Sequence, residues 1–228
     1  MKQIPLCGEG FQPRPSGALW HRASASLIVA DLHLGKSARL ARFGSQLLPP
    51  YETQDSLDRL QAEISATGAR RVISLGDSFD DQQAVADCVE PLAAMFARYP
   101  DMDWVWVTGN HDPLPAGLPG QNISELMIGQ VQLRHIADPT MRGEISGHYH
   151  PKLTMRVKAT RLTRPCFLFD RHRIILPAFG TYTGGLDCDD PALQGLMEPS
   201  ARAVLTGRQS IELPAYANPK PRQAVRLN

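Results

Sequence analysis

The sequence predicts a mixed α/β fold in which two packed β-sheets are flanked by helices, and three observations support this. Short apolar runs at residues 26–30, 71–75 and 104–107 are typical of buried strands. Segments with helical spacing separate these runs, and strand–helix alternation favours a largely parallel sheet. After Pro119 short strands dominate, which indicates a second sheet packed on the first.

The remaining elements can be placed in order along the chain. Residues 53–67 and 83–99 have helical spacing, although Pro91 interrupts the second pattern. The tail from about residue 214 is rich in proline, and we expect it to be irregular. No linker or internal repeat divides the 228 residues, so we interpret residues 1–228 as one domain. Strands of the second sheet are expected at residues 131–134, 144–146, 153–157, 166–169, 173–176, 203–205 and 210–213.

Composition excludes several classes of protein. The formal net charge is +1, so no global field attracts nucleic acid or acidic membranes, and any such contact must be a local patch. No apolar run approaches the roughly 20 residues of a membrane helix, and the first residues are too few and too polar for a signal peptide. The four cysteines form no CxxC pair, which argues against a zinc ribbon. We therefore expect a soluble cytoplasmic protein, and its oligomeric state leaves no mark in the sequence.

Polar residues of metal-ligand type follow the predicted strands in ordered clusters. Open α/β sheets bind ligands at the carboxyl ends of their strands, so these side chains are expected to meet in one crevice. Oxygen donors dominate the first clusters and imidazoles the last, which indicates a site for two divalent metal ions. The clusters are Asp31-Leu-His33, Gly76-Asp77-Ser-Phe-Asp80, Gly109-Asn110-His111-Asp112, the single His135 and Gly147-His148-Tyr-His150.

Two divalent cations about 3.5–4 Å apart need a bridging carboxylate, and Asp77 is the best candidate. Asp31 and His33 are two residues apart on an extended segment, so both point to the same side, and His148 and His150 repeat this spacing. The mixture of nitrogen and oxygen donors suits manganese, iron or zinc better than calcium. We expect a water between the ions to act as a hydroxide nucleophile near neutral pH, which points to phosphoester hydrolysis.

The motif order D-x-H, G-D-x-x-D, G-N-H-D, a lone histidine and G-H-x-H resembles that of the calcineurin-like metallophosphoesterase superfamily over residues 31–150. The resemblance implies a four-layer αββα sandwich and two ions, with manganese expected and iron or zinc as alternatives. It also implies that His111 is a general acid at the leaving oxygen and that Asp80 orients His111. One ion would take Asp31, His33, Asp77 and His150, and the other Asp77, Asn110, His135 and His148.

Residues 29–36, 145–151 and 176–185 resemble the DNA-ligase-associated phosphoesterase subfamily. This resemblance implies a DNA-repair endonuclease whose functional partners include a DNA ligase and a helicase. Protein phosphatases follow G-D-x-x-D with Arg-Gly, whereas this chain has Asp81 and Gln82, so a phosphoprotein substrate is disfavoured. The alternative enzyme hydrolyses small nucleotides or nucleotide-linked precursors, and a non-catalytic scaffold is less favoured because every ligand position is occupied.

Several residues have two open interpretations. Lys36, Arg39 and Arg42 form one rough helix face, which is either a solvated surface or a contact to phosphate groups of the substrate. His135 is either a lone structural histidine or a metal ligand, and Asp80 competes with Asp81 for its role. The glycine-rich segment 179–185 either lines the substrate crevice or simply turns the chain.

Overall fold

A computed structural model describes residues 2–44, 48–110 and 118–216. Within these ranges two mixed β-sheets pack face to face and are flanked by helices, which confirms the predicted fold class. The first sheet has the order β1-β2-β3-β4-β5-β6-β7, and β4 to β7 are parallel. Its strands are β1 (Ile4–Leu6), β2 (Glu9–Pro13), β3 (Leu19–His21), β4 (Ser26–Val29), β5 (Arg71–Leu75), β6 (Asp103–Val107) and β7 (Gln121–Ile123).

The second sheet has the order β15-β14-β12-β13-β10-β9-β8, and β11 pairs with β12 away from this path. The three consecutive strands β13, β10 and β9 are parallel, so this sheet also delivers several carboxyl ends to one edge. Its strands are β8 (Glu125–Ile128), β9 (Val131–Arg134), β10 (Glu144–Ser146), β11 (Lys152–Val157), β12 (Thr160–Phe169), β13 (Arg173–Ile175), β14 (Arg202–Leu205) and β15 (Ile211–Pro214).

Helices cover the outer faces of both sheets. On the first sheet, Leu57 and Leu60 belong to the same buried cluster as Val29 and Val72. On the second sheet, Leu193 packs in a cluster with strand residues such as Leu168. No helix of the described chain is both long and apolar enough to cross a bilayer. The helices are α1 (Lys36–Arg42), α2 (Glu52–Thr67), α3 (Gln82–Asp87), α4 (Val89–Arg98) and α5 (Pro191–Leu196).

Strand β4 shows why its sequence is apolar throughout. Successive side chains of a strand point to opposite faces, so Leu27 and Val29 face the helices while Ile28 faces the second sheet. All three are fully buried. A strand that is covered on both faces has no solvent-facing positions, so its sequence does not alternate between apolar and polar residues. The buried strand holds the residues that follow it, beginning with Asp31, at one edge of the sheet.

Four details differ from the expectations. The helical segment 83–99 is broken at Cys88, which ends α3 and caps α4, and Pro91 lies in the first turn of α4, where proline is tolerated. Strand β12 begins six residues earlier than expected, at Thr160. Strands β1 to β3, β7 and β8 and helix α5 were not expected from the sequence. Segments of three to five residues give little periodic signal, and pairing with neighbouring strands alone makes these five segments strands.

Candidate metal centre

The predicted ligands lie at strand ends contributed by both sheets. Asp31 follows β4, Asp77 follows β5 and Asn110 follows β6, all at the same edge of the first sheet. From the second sheet, His135 follows β9, and His148 and His150 follow β10. Because the two sheets pack face to face, these ends converge in one place.

One cluster contains Asp31, His33 and His150. One ligand atom from each of these residues lies within 4.8 Å of the other two. Asp31 is fully buried, and its Oδ1 lies 3.3 Å from His150 Nε2. That nitrogen is buried and makes no hydrogen bond within the described chain. A buried polar atom without a hydrogen bond costs free energy, and coordination of a cation would supply its missing partner.

The second cluster contains Asp77, His135 and His148, with the same mutual spacing of ligand atoms. Asn110 joins it, because Asn110 Oδ1 lies 2.8 Å from His135 Nε2. The two clusters are adjacent, since His135 Nδ1 is 3.9 Å from Asp31 Oδ1. The structure therefore has two neighbouring candidate sites for metal ions, one at Asp31, His33 and His150 and the other at Asp77, His135 and His148.

The hydrogen bonds of His135 test whether a cation fits. Its Nδ1 is 2.7 Å from the Leu75 carbonyl oxygen, which can only accept, so Nδ1 carries the proton. In the neutral ring the lone pair on Nε2 then faces Asn110 Oδ1 and Asp77 Oδ2, at 2.8 and 3.4 Å, so a positive charge placed there, from a proton or a metal ion, would be stabilised. Burial lowers the pKa of His135, but Asp77 and Asp31 outweigh it and raise this pKa. Electron-rich atoms facing each other in this way favour a cation between them.

The backbone at the ligands is strained, which also points to function. Most of the predicted ligands have a left-handed backbone conformation, with a positive φ. This conformation costs a non-glycine residue about 1–2 kcal/mol. Glycine would relieve the strain but would remove the ligand. Strain retained at these positions is typical of a site whose side-chain directions matter more than local stability. Five of the seven predicted ligands have φ between 45° and 71°, namely Asp31, His33, Asp77, His148 and His150.

The glycines of the motifs let these loops approach one another. A Cβ at Gly109 would lie 2.3 Å from both the backbone nitrogen and the Oδ1 of Asp77. No real side chain tolerates such a contact, so only glycine allows the β6 loop to lie against the β5 loop. Asp31 adds a further link, since its carboxylate accepts the backbone N–H of His148 at 2.9 Å. The clusters are thus held by a close contact between two loops of the first sheet and by a side-chain-to-backbone hydrogen bond between the sheets.

Asp80, predicted to orient His111, contacts a different histidine. Its Oδ1 accepts a hydrogen bond from His33 Nδ1 at 3.0 Å, and its Oδ2 accepts from Arg39. Burial raises the pKa of Asp80, but the hydrogen bonds from His33 and Arg39 outweigh it and hold the pKa at about 2. With its Nδ1–H donated to Asp80, the lone pair of His33 is on Nε2. His111, the predicted general acid, lies outside the described residues, so its role and its contact with Asp80 stay predictions.

Replacing Asp80 with asparagine should weaken metal binding at the first cluster by about 10–100-fold, because a carboxylate that orients a ligating histidine is lost. Calorimetric titration of metal-free protein with Mn²⁺ measures this change in metal affinity. The neighbouring Asp81 is the matched control: it caps α3 by accepting from the Ala84 N–H at 2.8 Å and pairs with Arg42. Asp81→Asn should bind metal like the wild type, and equal affinities in both variants would contradict the role of Asp80.

The three cations predicted as substrate contacts are already engaged with carboxylates. Arg39 pairs with Asp80, Lys36 Nζ lies 4.0 Å from the same carboxylate, and Arg42 pairs with both Asp81 and Asp87. A phosphate group would have to compete with these acids. Contact between these cations and substrate remains a prediction, and the ion pairs weaken its electrostatic basis.

The glycine-rich segment after β13 supports the site. Phe179 N–H and Gly180 N–H donate to the carbonyls of Ala30 and Asp31, at 2.8 and 3.1 Å. Arg59 fixes this segment by donating to the Phe179 carbonyl at 2.7 Å. The sequence around Arg59 has no motif that indicates this role. In the sequence Arg59 is one more charged residue of a helix, and only the packing of α2 against this loop brings it to the Phe179 carbonyl.

Further along the same segment, Gly185 lines a cavity of about 440 Å³ that lies beside both ligand clusters. His148, Tyr149 and His150 line it as well. The segment 179–185 therefore both turns the chain and borders the crevice. Tyr149, which lies between the predicted ligands His148 and His150, also lines this cavity, and the sequence motifs gave it no role.

Comparisons with known proteins agree with this geometry. The model of the calcineurin-like phosphoesterase family matches residues 26–154, a span that includes every predicted metal ligand. The crystal structure of Pseudomonas putida nuclease MPE is similar, with a TM-score of 0.74 and 27% identity over 93% of this chain and 99% of that one. Yfce, a phosphoesterase from E. coli, has a TM-score of 0.36 and 10% identity over 84% of this chain and 99% of that chain, a similarity too low to support a conclusion. No curated protein matches.

The family match covers more than half of the chain, and the two ligand clusters lie inside it. The fold of two packed sheets and the ordered ligands agree with the same assignment. This chain belongs to the calcineurin-like phosphoesterase family, and it is a metal-dependent phosphoesterase.

Proposed function

We propose that this protein is a two-metal phosphodiesterase that cleaves nucleic acid, with DNA as its substrate. The observation that carries the proposal is the pair of adjacent three-residue clusters, each with one carboxylate and two imidazoles. Two such sites side by side suit in-line displacement at phosphorus. The similarity to a protein described as a nuclease, over nearly the whole of both chains, supports nucleic acid as the substrate.

Each ligand has a defined part in this proposal. Asp77, Asp31 and Asn110 would hold the two ions through their oxygens, with Asp77 as the candidate shared by both, and the four histidines would each supply one nitrogen. Two divalent ions held there would supply an activated water and would offset negative charge on the phosphoryl oxygens. Only two of these seven ligands, Asp31 and Asp77, are anionic, so the loaded centre would be positively charged and would attract a phosphodiester.

The remaining residues position the substrate and the protons. Asp80 orients His33 through the hydrogen bond described above. We propose His111 as the acid that protonates the leaving oxygen, since it follows the ligand Asn110 directly. Manganese as the metal, a DNA-repair role, association with a DNA ligase and a helicase, and a cytoplasmic location belong to the same proposal and are supported by the sequence resemblance.

One observation favours a second substrate class. The cavity beside His148 and His150, at about 440 Å³, lies within the size range of small-molecule pockets. A mononucleotide diester or a dinucleotide would fit a space of this size. Hydrolysis of small nucleotides is therefore the alternative activity that the experiment must separate from DNA cleavage.

The test offers four substrates in parallel to purified protein that has been stripped of metal and reloaded with Mn²⁺, Zn²⁺ or Mg²⁺. They are bis-p-nitrophenyl phosphate, p-nitrophenyl phosphate, single-stranded DNA and duplex DNA. We expect turnover of the diester over the monoester, together with DNA cleavage that chelators abolish. Rapid hydrolysis of small diesters without any DNA cleavage would overturn the nuclease proposal and favour the alternative.

A variant excludes contaminating nucleases. His135→Ala removes an imidazole of the second cluster and should abolish both activities together. If the variant cuts DNA as well as the wild type does, the activity belongs to another protein. If neither the wild type nor the variant hydrolyses any of the four substrates with any of the three metals, the protein is better interpreted as a non-catalytic scaffold than as an enzyme.

A further inference from the structure

A strongly basic hairpin follows the last metal ligands. Residues 151–165 contain five cations and no aspartate or glutamate, although the whole chain has a net charge of only +1. The hairpin consists of β11 and β12, joined by a tight turn at Lys158 and Ala159, and it begins directly after His150. The cations are Lys152, Arg156, Lys158, Arg161 and Arg164.

The hairpin projects from the second sheet. Residues 166–169 of β12 pair with β13 and β14, whereas residues 160–165 pair with β11. Within the described chain β11 has no other strand partner apart from a single bridge between Lys152 and Asp187. At about 3.3 Å per residue the arm is roughly 17 Å long. That length corresponds to about five nucleotides at the rise of about 3.4 Å per nucleotide of a duplex strand.

The two faces of the hairpin differ. Side chains of directly paired residues share a face, and Arg156 pairs with Arg161 while Thr154 pairs with Thr163. Lys152, two residues before Thr154, lies on this same polar face. The opposite face carries Leu153, which is buried against the outer core of the second sheet. On the polar face Arg156 and Arg161 are exposed, so their long cationic side chains are available to a ligand. The opposite face is buried at Leu153 and becomes exposed towards the turn, at Val157.

The base of the polar face lies against the metal crevice. Lys152 Nζ donates to the Thr183 carbonyl oxygen at 3.4 Å, and Thr183 belongs to the segment that borders the crevice. The Lys152 backbone N–H donates to the carbonyl oxygen of Leu186, a residue of the cavity that His148 and His150 also line. A strand of polyanion lying along the polar face would thus lead into the cavity beside the metal ligands.

The cations of the hairpin, whether on the polar face, in the turn at Lys158 or on the opposite face at Arg164, have no acidic partner within the described ranges. Arg156, Lys158, Arg161 and Arg164 are exposed, and none of the five cations forms an ion pair with any residue of the described ranges. Helix α1 is the contrast, since its three cations lie against Asp80, Asp81 and Asp87. Like charges at facing positions of a hairpin are destabilising, and Arg156 faces Arg161 directly. Bound phosphates would remove this repulsion.

We propose that the polar face of the β11–β12 hairpin binds the phosphodiester backbone of a nucleic acid strand and guides it to the metal centre. This inference rests on the proposed nuclease function and names the surface that distinguishes a polymer from a small diester. Contacts to backbone phosphates hold a strand in place without reading its sequence, so binding should be independent of sequence and sensitive to salt.

The test compares Arg156→Gln/Arg161→Gln with a matched control, Arg22→Gln/Arg70→Gln. The control removes the same two charges from exposed positions at the opposite edge of the first sheet, before β4 and β5. Binding of a fluorescein-labelled single-stranded oligodeoxynucleotide is followed by anisotropy in EDTA, between about 50 and 200 mM salt. The hairpin variant should bind about tenfold more weakly at the lowest salt. Its log–log salt slope should shrink by about 1.4, since each single-strand phosphate contact contributes about 0.7.

Cleavage under loaded conditions supplies the second readout. The ratio of kcat/KM for DNA to kcat/KM for bis-p-nitrophenyl phosphate should fall about tenfold in the hairpin variant, in line with the lost affinity, and stay at the wild-type value in the control. Wild-type affinity and salt slope in the hairpin variant would overturn the inference, as would an equal loss in both variants or a parallel loss of both activities. A wild type that binds DNA through the hairpin and never cleaves it would instead overturn the proposed function.

Discussion

Replacing Asp77 with asparagine is expected to lower metal-dependent phosphodiester hydrolysis by more than about 100-fold. Loss of a residue that only orients a metal ligand already lowers activity by up to about 100-fold, and Asp77 is itself a predicted ligand. Asp77 is 3% exposed and lies in the second cluster, with its Oδ2 3.4 Å from His135 Nε2. The amide keeps the shape of the carboxylate and loses its charge. The effect should therefore come from metal binding, and the fold should survive.

Metal stoichiometry tests the bridging role of Asp77. If Asp77 bridges both ions, Asp77→Asn should weaken both binding events in a calorimetric titration with Mn²⁺, whereas His135→Ala should weaken only one. Asp101→Asn, an exposed carboxylate before β6, is the control and should bind two ions like the wild type. A variant of Asp77 that keeps one tight ion would show that the carboxylate serves the second cluster alone.

Replacing Gly180 with alanine should destabilise the protein by about 3 kcal/mol, the upper part of the usual range for overpacking. A Cβ at this position would lie 2.0 Å from the Leu32 carbonyl oxygen and 3.0 Å from that of Asp31. Backbone atoms cannot rotate away as a side chain can, so the loop must separate from the Asp31 segment. Urea denaturation measures the loss of stability, and metal titration should show weaker binding at the first cluster.

Gly184 supplies the control on the same loop. Nothing in the described chain beyond its neighbours lies within 4 Å of a Cβ built there. Gly184→Ala should change the free energy of unfolding by less than about 0.5 kcal/mol, as surface substitutions usually do. Equal urea midpoints for the two variants would contradict the close contact between the Gly180 loop and the Asp31 segment.

Strands β4 and β5, which lead to Asp31 and Asp77, were predictable because they are largely apolar and buried on both faces. Residues 71–75 form β5 as expected, and β4 differs by a single residue at its end. The extra length of β12 was not predictable, since residues 160–165 are Thr-Arg-Leu-Thr-Arg-Pro, with a single large apolar residue and no apolar face of strand type. Only pairing with β11 makes them a strand.

Helix α1 shows a limit of a different kind. Its cations at Lys36, Arg39 and Arg42 suggest a phosphate contact in the sequence, yet folding places Asp80 and Asp81 beside them, more than 35 residues further along the chain. The basic hairpin lacks such partners. Charge spacing is local information, whereas the presence of a countercharge depends on which elements pack together.

The sequence by itself determined the family of this protein, the order of its seven candidate ligands and several of the strands that end at them. Tertiary structure decided which ligands share a cluster, since Asp31 meets His150 from the other sheet. It also decided that Asp80 contacts His33 and that the unpaired cations lie on the hairpin. The physical reason is that residue types fix which bonds a group can make, while packing of distant segments fixes which groups lie within bonding distance.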